Sequence, residues 1–525
     1  MAISPANLFR LARAGYVLAR EGAFSIVDIE DLPPGAALAL RCGRLVERRG
    51  VAEEDRGERV SAALNRLGPS YVKLGQFLAT RADLVGEDVA AALGKLRDEI
   101  EPFDEAEARR TIERNLARPT DAIFAAFSPP VAAASIAQVH KAALIEADGG
   151  THAVAVKVLR PGVRGRFRSD LSTFYAGARL VEAFDPPIRR LKPVAVVDIL
   201  ARSVSMEMDL RLEAAALSEM AERTQGDPGF RVPRVYWAQT ARDVLTLEWI
   251  DGVKLSDRDG IMAAGHDPKE IARRLMQAFL RHAMRDGFFH ADMHQGNLFV
   301  DAAGDVVAVD FGIMGRLGLA ERRFLAEILY GFIRRDYLRI ARVHIEAGYV
   351  PPRHGAEDFA QALRAIGEPI HGQPARDISM ARLLTLLFEV TELFDMQTRP
   401  ELLMLQKTMV VVEGVARSLD RDFDMWSASE PVVRAWMEEN LGLRGRLEQA
   451  AGGLGDFSRA AGSLPALLEH GARVAVQLDA ATRDGLRLAP ETVAEIGRAE
   501  GRGNRWMTIG IFIVAALLAM LILRS

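Results

Sequence analysis

Residues 288–312 read "FFHADMHQGNLFVDAAGDVVAVDFG", and the fold turns on how that stretch is parsed. His290 and His294 stand four apart, a spacing that puts two imidazoles on one helical face and invites a metal reading. Two short apolar runs, "NLFV" and "VVAV", flank the turn "DAAGD", which is the pattern of a hairpin. Asp292 and Asn297 stand five apart before it, and Asp310 opens an Asp-Phe-Gly triplet directly after it, thirteen residues beyond Asn297. A carboxylate and an amide oxygen in that arrangement suit magnesium, which binds carboxylates and nucleotide phosphates. The sequence supplies no third ligand of a type that would complete a histidine-metal site, so His290 and His294 recede to supporting roles.

Upstream, "SIAQVHKAAL" and "THAVAVKVL" alternate, are rich in β-branched residues and enclose the turn "EADGG", so a second hairpin is expected there. Its second strand presents Lys157, at the end of "VAVK", to one face. In the helical stretch "MEMDLRLEAAALSEM", Asp209 and Glu213 share a face, and Glu213 is in a position to pair with Lys157. "FRVPRVYWA" and "DVLTLEWI" form a further expected strand pair, and beyond Asp257 the pattern is mostly helical. A lysine for phosphate oxygens, a carboxylate to orient it, oxygen ligands for a metal and a carboxylate near an acceptor are what phosphoryl transfer requires. His290-Ala291-Asp292 with Asn297 five on from the Asp, followed by Asp-Phe-Gly on the next hairpin, has the spacing of a kinase catalytic loop. The expected fold is therefore α+β and bilobal, protein-kinase-like, with a small β-rich N-lobe and a helical C-lobe.

Two expected parts are absent. In place of a glycine-rich phosphate loop the chain reads "PPVAAASIAQVHKA", whose alanines carry a Cβ and leave the backbone less free. No Ala-Pro-Glu follows the Asp-Phe-Gly, so no platform for a protein substrate is evident.

The chain has 525 residues, 67 Lys plus Arg against 71 Asp plus Glu, a net charge of −4 and one cysteine, Cys42. That balance gives no basic excess for nucleic acid, and one cysteine excludes both an intrachain disulfide and a Cys-based zinc site. The expected division is a helical N-terminal extension over 1–125 with a break at Gly68-Pro69, an N-lobe over 126–250, a C-lobe over 251–450, a helical stalk over 451–504 and a membrane anchor over 505–524. Trp506–Leu523, "WMTIGIFIVAALLAMLIL", is uncharged and at ~1.5 Å per residue reaches about 27 Å. Arg498, Arg502 and Arg505 precede it, so the expected orientation is a single C-terminal span with the catalytic part in the cytoplasm. The acid-free N-terminal stretch "PANLFRLARAGYVLAR" reads either as a docking helix or as a membrane-surface or transit segment.

Taken in order, "LGPSYVKLGQFLATRADLV", "AAASIAQVH", "VAVKVLRPGV", "EMDLRLEAA", "LEWIDGVKL", "HADMHQGN", "DFG" and "MVVVEGVARSLD" make the chain resemble the UbiB family of atypical kinase-like proteins, which support ubiquinone biosynthesis. The resemblance covers about residues 60–320, with the last motif at Met409–Asp420. It implies that an alanine-rich loop (Ala132, Ala133, Ala134, Ser135, Ile136, Ala137, Gln138 and Val139) takes the place of the glycine-rich one against the nucleotide. It also implies that Lys73 and Gln76 of a K-x-G-Q motif fold over the site from the extension and contact Glu207 and Asp209 of an E-x-D motif, limiting access by a protein substrate. The departures are Gln295, where bacterial relatives usually carry proline, and "EAAAL" after the E-x-D motif. One hydrophobic segment also stands at the C-terminus where many bacterial members have two.

Physics and resemblance together set the expected roles. Lys157 holds nucleotide phosphates and Glu213 orients it; Asp310 and Asn297 hold magnesium; Asp292 accepts a proton from an acceptor hydroxyl or orients a water. Backbone groups of Glu248 and Ile250 are expected to read adenine at the hinge, with Thr246 beside that pocket. The implied cofactors are ATP and Mg2+. The implied partners are membrane lipids, polyprenyl-phenol ubiquinone precursors and other ubiquinone biosynthesis proteins; a homodimer is an open alternative, and no nucleic acid is expected. The implied location is the bacterial inner membrane.

Overall fold

The computed structural model describes residues 5–23, 43, 45–48, 56–79, 93, 101–184, 192–368, 390, 393–396 and 400–441. One compact unit runs through Met437; of the second, from Glu438 to Ser525, only residues 438–441 are described. The expected stalk and anchor over 451–524 lie outside the described residues. Among the described residues no helix is long and apolar enough to cross a membrane.

Three helices open the described chain: α1 (Pro5–Arg20), α2 (Arg56–Leu67) and α3 (Pro69–Ala79). The expected Gly-Pro break separates the last two, with Gly68 at φ +106°, where a side chain would be strained. Next comes α4 (Glu105–Leu116), capped by Asp104, whose carboxylate accepts from the Ala106 N–H at 2.6 Å. The N-lobe sheet follows: β1 (Phe124–Ala133), β2 (Ala137–Ile145), β3 (Thr151–Leu159) and β5 (Val244–Glu248), in the order β1-β2-β3-β5 and antiparallel throughout. The hairpin expected around "EADGG" is present, with Ile145 opposite Thr151. Alternation decides which way each residue faces. Val154, Val156 and Val158 turn to one side and pack with Ala108 and Ile112 of α4, while Ala155 and Lys157 turn to the other. Pro129 and Pro130 lack the N–H a ladder needs, and β1 shifts register on both sides of Pro130, as an edge strand tolerates.

Between the strands lie α5 (Val163–Phe184), α6 (Pro193–Glu207) and α7 (Leu210–Arg223). The N-terminal stretch proves to be a docking helix: α1 lies on α5, where Asn7 exchanges bonds with Ser172 (3.2 Å to its carbonyl, 3.0 Å from its hydroxyl). Helix α3 packs on α5 and α6, with Tyr71 edge-on to Phe174 at 4.9 Å between centroids.

The expected pairing of "FRVPRVYWA" with "DVLTLEWI" is not realised as a strand pair. Only β4 (Phe230–Arg231) forms there, and it runs parallel to β9 (Val306–Ala308) in a second sheet, β4-β9-β8-β6, with β6 (Gly252–Lys254) and β8 (Leu298–Asp301). Val235 keeps a single bridge to Leu247. Pro233 cannot donate to a ladder, and Trp237–Gln239 coils into a 3-10 turn.

Helix α8 (Arg258–Ala263) leads to α9 (Pro268–Arg281), which starts with Asp267 as cap and Pro268 in its first turn and buries Ile271, Leu275, Met276 and Phe279. A π turn over His282–Asp286 delivers the chain to β7 (Phe288–His290), which pairs with β10 (Met314–Arg316). The remaining helices are α10 (Leu319–Arg334), α11 (Tyr337–Glu346), α12 (Ala356–Gly367), α13 (Pro400–Leu419) and α14 (Met425–Leu441). Of these, α13 lies along α9 and against β10.

Candidate active site

The face of β3 that carries Lys157 meets α7 and the Asp-Phe-Gly turn. Lys157 Nζ reaches Glu213 Oε1 at 2.8 Å and Oε2 at 2.9 Å, and Asp310 Oδ2 at 3.4 Å. Burial alone would lower the lysine pKa, but Asp310 and Glu213 outweigh it and hold the ammonium protonated above its usual range. Burial likewise works to raise the Glu213 carboxyl, and Lys157 opposes it. With both of its oxygens on one ammonium, the ionised pair is the state the geometry favours. Asp310 is set among charged and polar groups yet open to water over 44% of its side chain. Its burial pushes the pKa up; Lys157, the Gly312 N–H at 3.0 Å, His290 and Lys73 together hold the carboxyl well below its ordinary value.

His290 joins the two aspartates. Its Nδ1 accepts from the Asp292 N–H at 3.0 Å, so the ring proton sits on Nε2, which donates to the Asp310 carbonyl. Burial holds the imidazole neutral by lowering its pKa. The ring also stands edge-on to Phe311 at 4.8 Å. His294 Nε2 lies 3.7 Å from Asp292 Oδ2. Neither histidine belongs to a metal cluster, and among the described residues no group of three His, Cys, Asp or Glu is placed to hold an ion. Asn297 donates from Nδ2 to the Asp292 carbonyl at 3.2 Å, which leaves Oδ1 as its acceptor. Its carbonyl takes the Val309 N–H at 3.0 Å, just before Asp310. The backbone thus ties the metal-type residues Asn297 and Asp310 across the base of one hairpin.

The alanine-rich stretch forms the β1–β2 turn. Ala132 pairs with Val139 and Ala133 with Gln138, and Ala134 N–H donates to the Ala137 carbonyl at 2.8 Å. Ser135 and Ile136 are buried at its tip. The Gln138 side chain is wholly buried and turned into the lobe: Oε1 accepts from Phe103 N–H at 2.9 Å, and Nε2 donates to the Phe103 carbonyl at 3.2 Å and lies 3.0 Å from His140 Nε2. The Gln138 side chain is therefore taken up inside the lobe rather than turned toward a ligand. Arg160 holds the same region, its backbone N–H on the Ile136 carbonyl at 2.7 Å and its guanidinium on the Glu101 carbonyl at 2.9 Å. Neither role carries a sequence signal.

At the hinge, Glu248 gives its side chain to Arg231 (3.1 Å) and to the Arg234 N–H (3.1 Å), and Arg231 also pairs with Asp301 at 2.7 Å. Ile250 is buried. Thr246 does not face the side of the sheet that carries Lys157. It stands opposite Val156, on the α4 side of the sheet, and its hydroxyl donates to the Gln239 carbonyl at 2.8 Å. Leu245 and Leu247, opposite Lys157 and Ala155, lie on the Lys157 face instead, since cross-strand register sets which side each residue takes.

Of the two E-x-D acids, Glu207 takes Lys73, Nζ to Oε2 at 2.8 Å with both side chains largely buried. Asp209 caps α7 by accepting from the Arg211 N–H at 3.2 Å and pairs with the Arg211 guanidinium at 2.7 Å. Gln76 is half-buried on α3, one turn from Lys73. Lys73 therefore meets Glu207 directly and touches the Asp310 site through its charge.

The chain is similar in sequence to known proteins. The ABC1 atypical kinase-like domain matches residues 95–344, and the UbiB helical domain matches residues 363–424. A Marinobacter nauticus protein named "Probable protein kinase UbiB" is 37% identical over 469 residues, which is 88% of this chain and 84% of that one. The chain belongs to the UbiB family. Within the UbiB family chain described here, Lys157, Glu213, Asp292, Asn297 and Asp310 all fall inside the ABC1 match, whereas Lys73 falls before it and α13 within the UbiB helical domain. A solved structure, the complex of Rv3197 with erythromycin from Mycobacterium tuberculosis, is 26% identical, covers 70% of this chain and 93% of its own, and has a TM-score of 0.49.

Proposed function

We propose that this UbiB family chain is a Mg-ATP-dependent atypical kinase or ATPase that supports ubiquinone biosynthesis at the bacterial inner membrane. The observation that carries the reading is the convergence of Lys157, Glu213 and Asp310 within 3.4 Å, with Asn297 and Asp292 on the same hairpin base. The donor set fits the cofactors. Asp310 is an ionised carboxylate and Asn297 keeps a free amide oxygen, both hard ligands of the kind magnesium takes, and Lys157 is a fixed cation for phosphate oxygens. When bound, the metal and nucleotide supply an activated phosphoryl group whose charge is spread over its oxygens. Glu213 fixes the Lys157 ammonium in place for phosphate oxygens, and His290 holds the Asp292 backbone and the Asp310 carbonyl in one frame. Asp292, 40% exposed, is the group available to take a proton from a hydroxyl or to orient a water.

Ion-paired to Glu207, Lys73 of the K-x-G-Q helix supports a covered site with little room for a protein acceptor, and the missing Ala-Pro-Glu points the same way. A small or lipid hydroxyl, or water, then accepts the phosphoryl group. The expected partners are membrane lipids, polyprenyl-phenol precursors and ubiquinone biosynthesis proteins, reached through an anchor at 505–524.

The test is phosphate release from ATP by the protein without its last twenty residues, with magnesium, with and without anionic liposomes. Turnover stimulated by membranes and reduced at least about a thousandfold in Asp310→Asn supports the reading, since a metal ligand acts in the transition state. Nucleotide binding with no phosphate release under any condition, with or without a phenolic acceptor, sinks it in favour of a nucleotide-binding scaffold.

A further inference from the structure

We infer that α13 is the positioning element of the catalytic loop, and that Thr408 is a positioning residue for Asp292; this rests on the role of Asp292 proposed above. Thr408 is buried where α13 crosses the loop. Its hydroxyl lies 3.0 Å from the Ala291 carbonyl and 2.8 Å from the Met404 carbonyl of its own helix, and the one hydroxyl proton serves both. Ala291 immediately precedes Asp292, and its N–H donates to the Ile313 carbonyl at 3.0 Å. Ala291, the residue that leads into Asp292, is therefore held from two sides, at its N–H by the Ile313 carbonyl just before β10 and at its carbonyl by α13.

Ten residues further along, at about 1.5 Å of rise each, the same helix touches the loop again. Gln295 Nε2 donates to Ser418 Oγ at 2.7 Å, and Ser418 in turn donates to the Val415 carbonyl at 2.7 Å. Gln295→Pro would remove this bond, because a proline side chain has no donor. Residues 291–295 thus lean at both ends on one rigid rod. Inside that span the loop is cross-tied by the Asp292 N–H to His290 and by Asn297 to the Asp292 carbonyl. A carboxylate that must meet a reacting hydroxyl needs its support locked within about 0.5 Å. In a chain with no Ala-Pro-Glu anchor, α13 supplies that support from behind, while packing on α9 and β10 keeps the helix itself in place.

The test uses the full chain and four variants: Thr408→Val, which keeps the shape and removes the donor, Thr408→Ser, which keeps the donor, Ser418→Ala and Gln295→Pro. Two readouts are taken, amide hydrogen exchange over residues 288–300 and magnesium-dependent ATP turnover. In Thr408→Val, exchange over 288–300 is expected to quicken about fivefold or more while α9 and the N-lobe sheet keep their protection. In the same variant kcat falls about tenfold with KM for ATP within about twofold, because support is lost and binding is not. Thr408→Ser stays near the parent in both readouts, and the two variants at the Gln295–Ser418 contact give smaller changes of the same kind. Unchanged exchange over 288–300 in Thr408→Val overturns the inference. So do equal losses in Thr408→Val and Thr408→Ser, or a loss of protection throughout the C-lobe, either of which makes Thr408 a packing residue only. If the parent chain turns over no ATP, the proposed activity fails, and the exchange result still decides the role of α13.

Discussion

Single histidines mark how this chain separates charge from burial. His140, His282, His290 and His344 are all pushed below the ordinary 6.5, in each case chiefly by burial. The unfolded chain therefore takes up these protons first as pH falls. Their contribution to stability is whole above about 6.5 and is lost as pH drops toward the folded values. The apparent Tm is expected to fall between about pH 7 and about pH 5.5, and His344→Phe, in a site lined by Phe359 at 5.4 Å, should flatten that slope. A Tm that rises on acidification over this range contradicts the neutral assignments. Gln138 makes the same point for a neutral polar group. Its amide meets both backbone groups of Phe103, so Gln138→Leu leaves two part-buried partners unmet. A loss of about 2–4 kcal/mol in urea unfolding is expected, with a change under about 0.5 kcal/mol showing that water replaces the amide freely.

Among elements, the joins carry more constraint than the helices or strands they join. The π turn before β7 ends at Gly287, with φ +61°, and a Cβ there would sit 2.4 Å from the Leu317 carbonyl. That carbonyl's residue also donates its N–H to the Gly287 carbonyl at 2.8 Å, so neither backbone can retreat. Gly287→Ala combines a strained dihedral with a backbone clash and is expected to cost at least about 2 kcal/mol, read as a lower urea midpoint with an unchanged m-value. An unaltered midpoint shows that β7 and β10 can part without cost. The same reasoning explains which elements were legible in advance. Hairpins with a polar turn between alternating runs announce themselves, as β2–β3 and β8–β9 do. The three-residue strands β7 and β10 do not, because each is stabilised by the other and every pair in their register is 24 to 28 residues apart. Thr246 shows the limit within a strand: its place in β5 was legible, and its face was not until Val156 stood opposite it.

Across the whole molecule, the N-terminal helices and the kinase-like lobes are joined where Lys73 meets Glu207. Both side chains are nearly buried, so each charge depends on the other: reversing one, in Lys73→Glu or Glu207→Lys, should destabilise the chain by about 3 kcal/mol, and the double reversal should recover at least about half of that in a double-mutant cycle. Additive losses in that cycle mean the two residues do not act as a pair. Because Lys73 also helps hold Asp310 ionised, removing its charge should raise the pH at which Asp310 titrates. The sequence by itself determined the kinase-like order of parts, the meeting of Lys157 with Glu213, and the family. Those signals are spacings along one chain and motifs that stand in a fixed order, so they are legible without the fold. Tertiary structure alone decided which of the two E-x-D acids meets Lys73, which way Gln138 and Thr246 turn, and that Thr408 stands behind Asp292 across more than a hundred residues. Such contacts depend on cross-strand register and on packing between distant helices, and neither leaves a periodic or local mark in sequence.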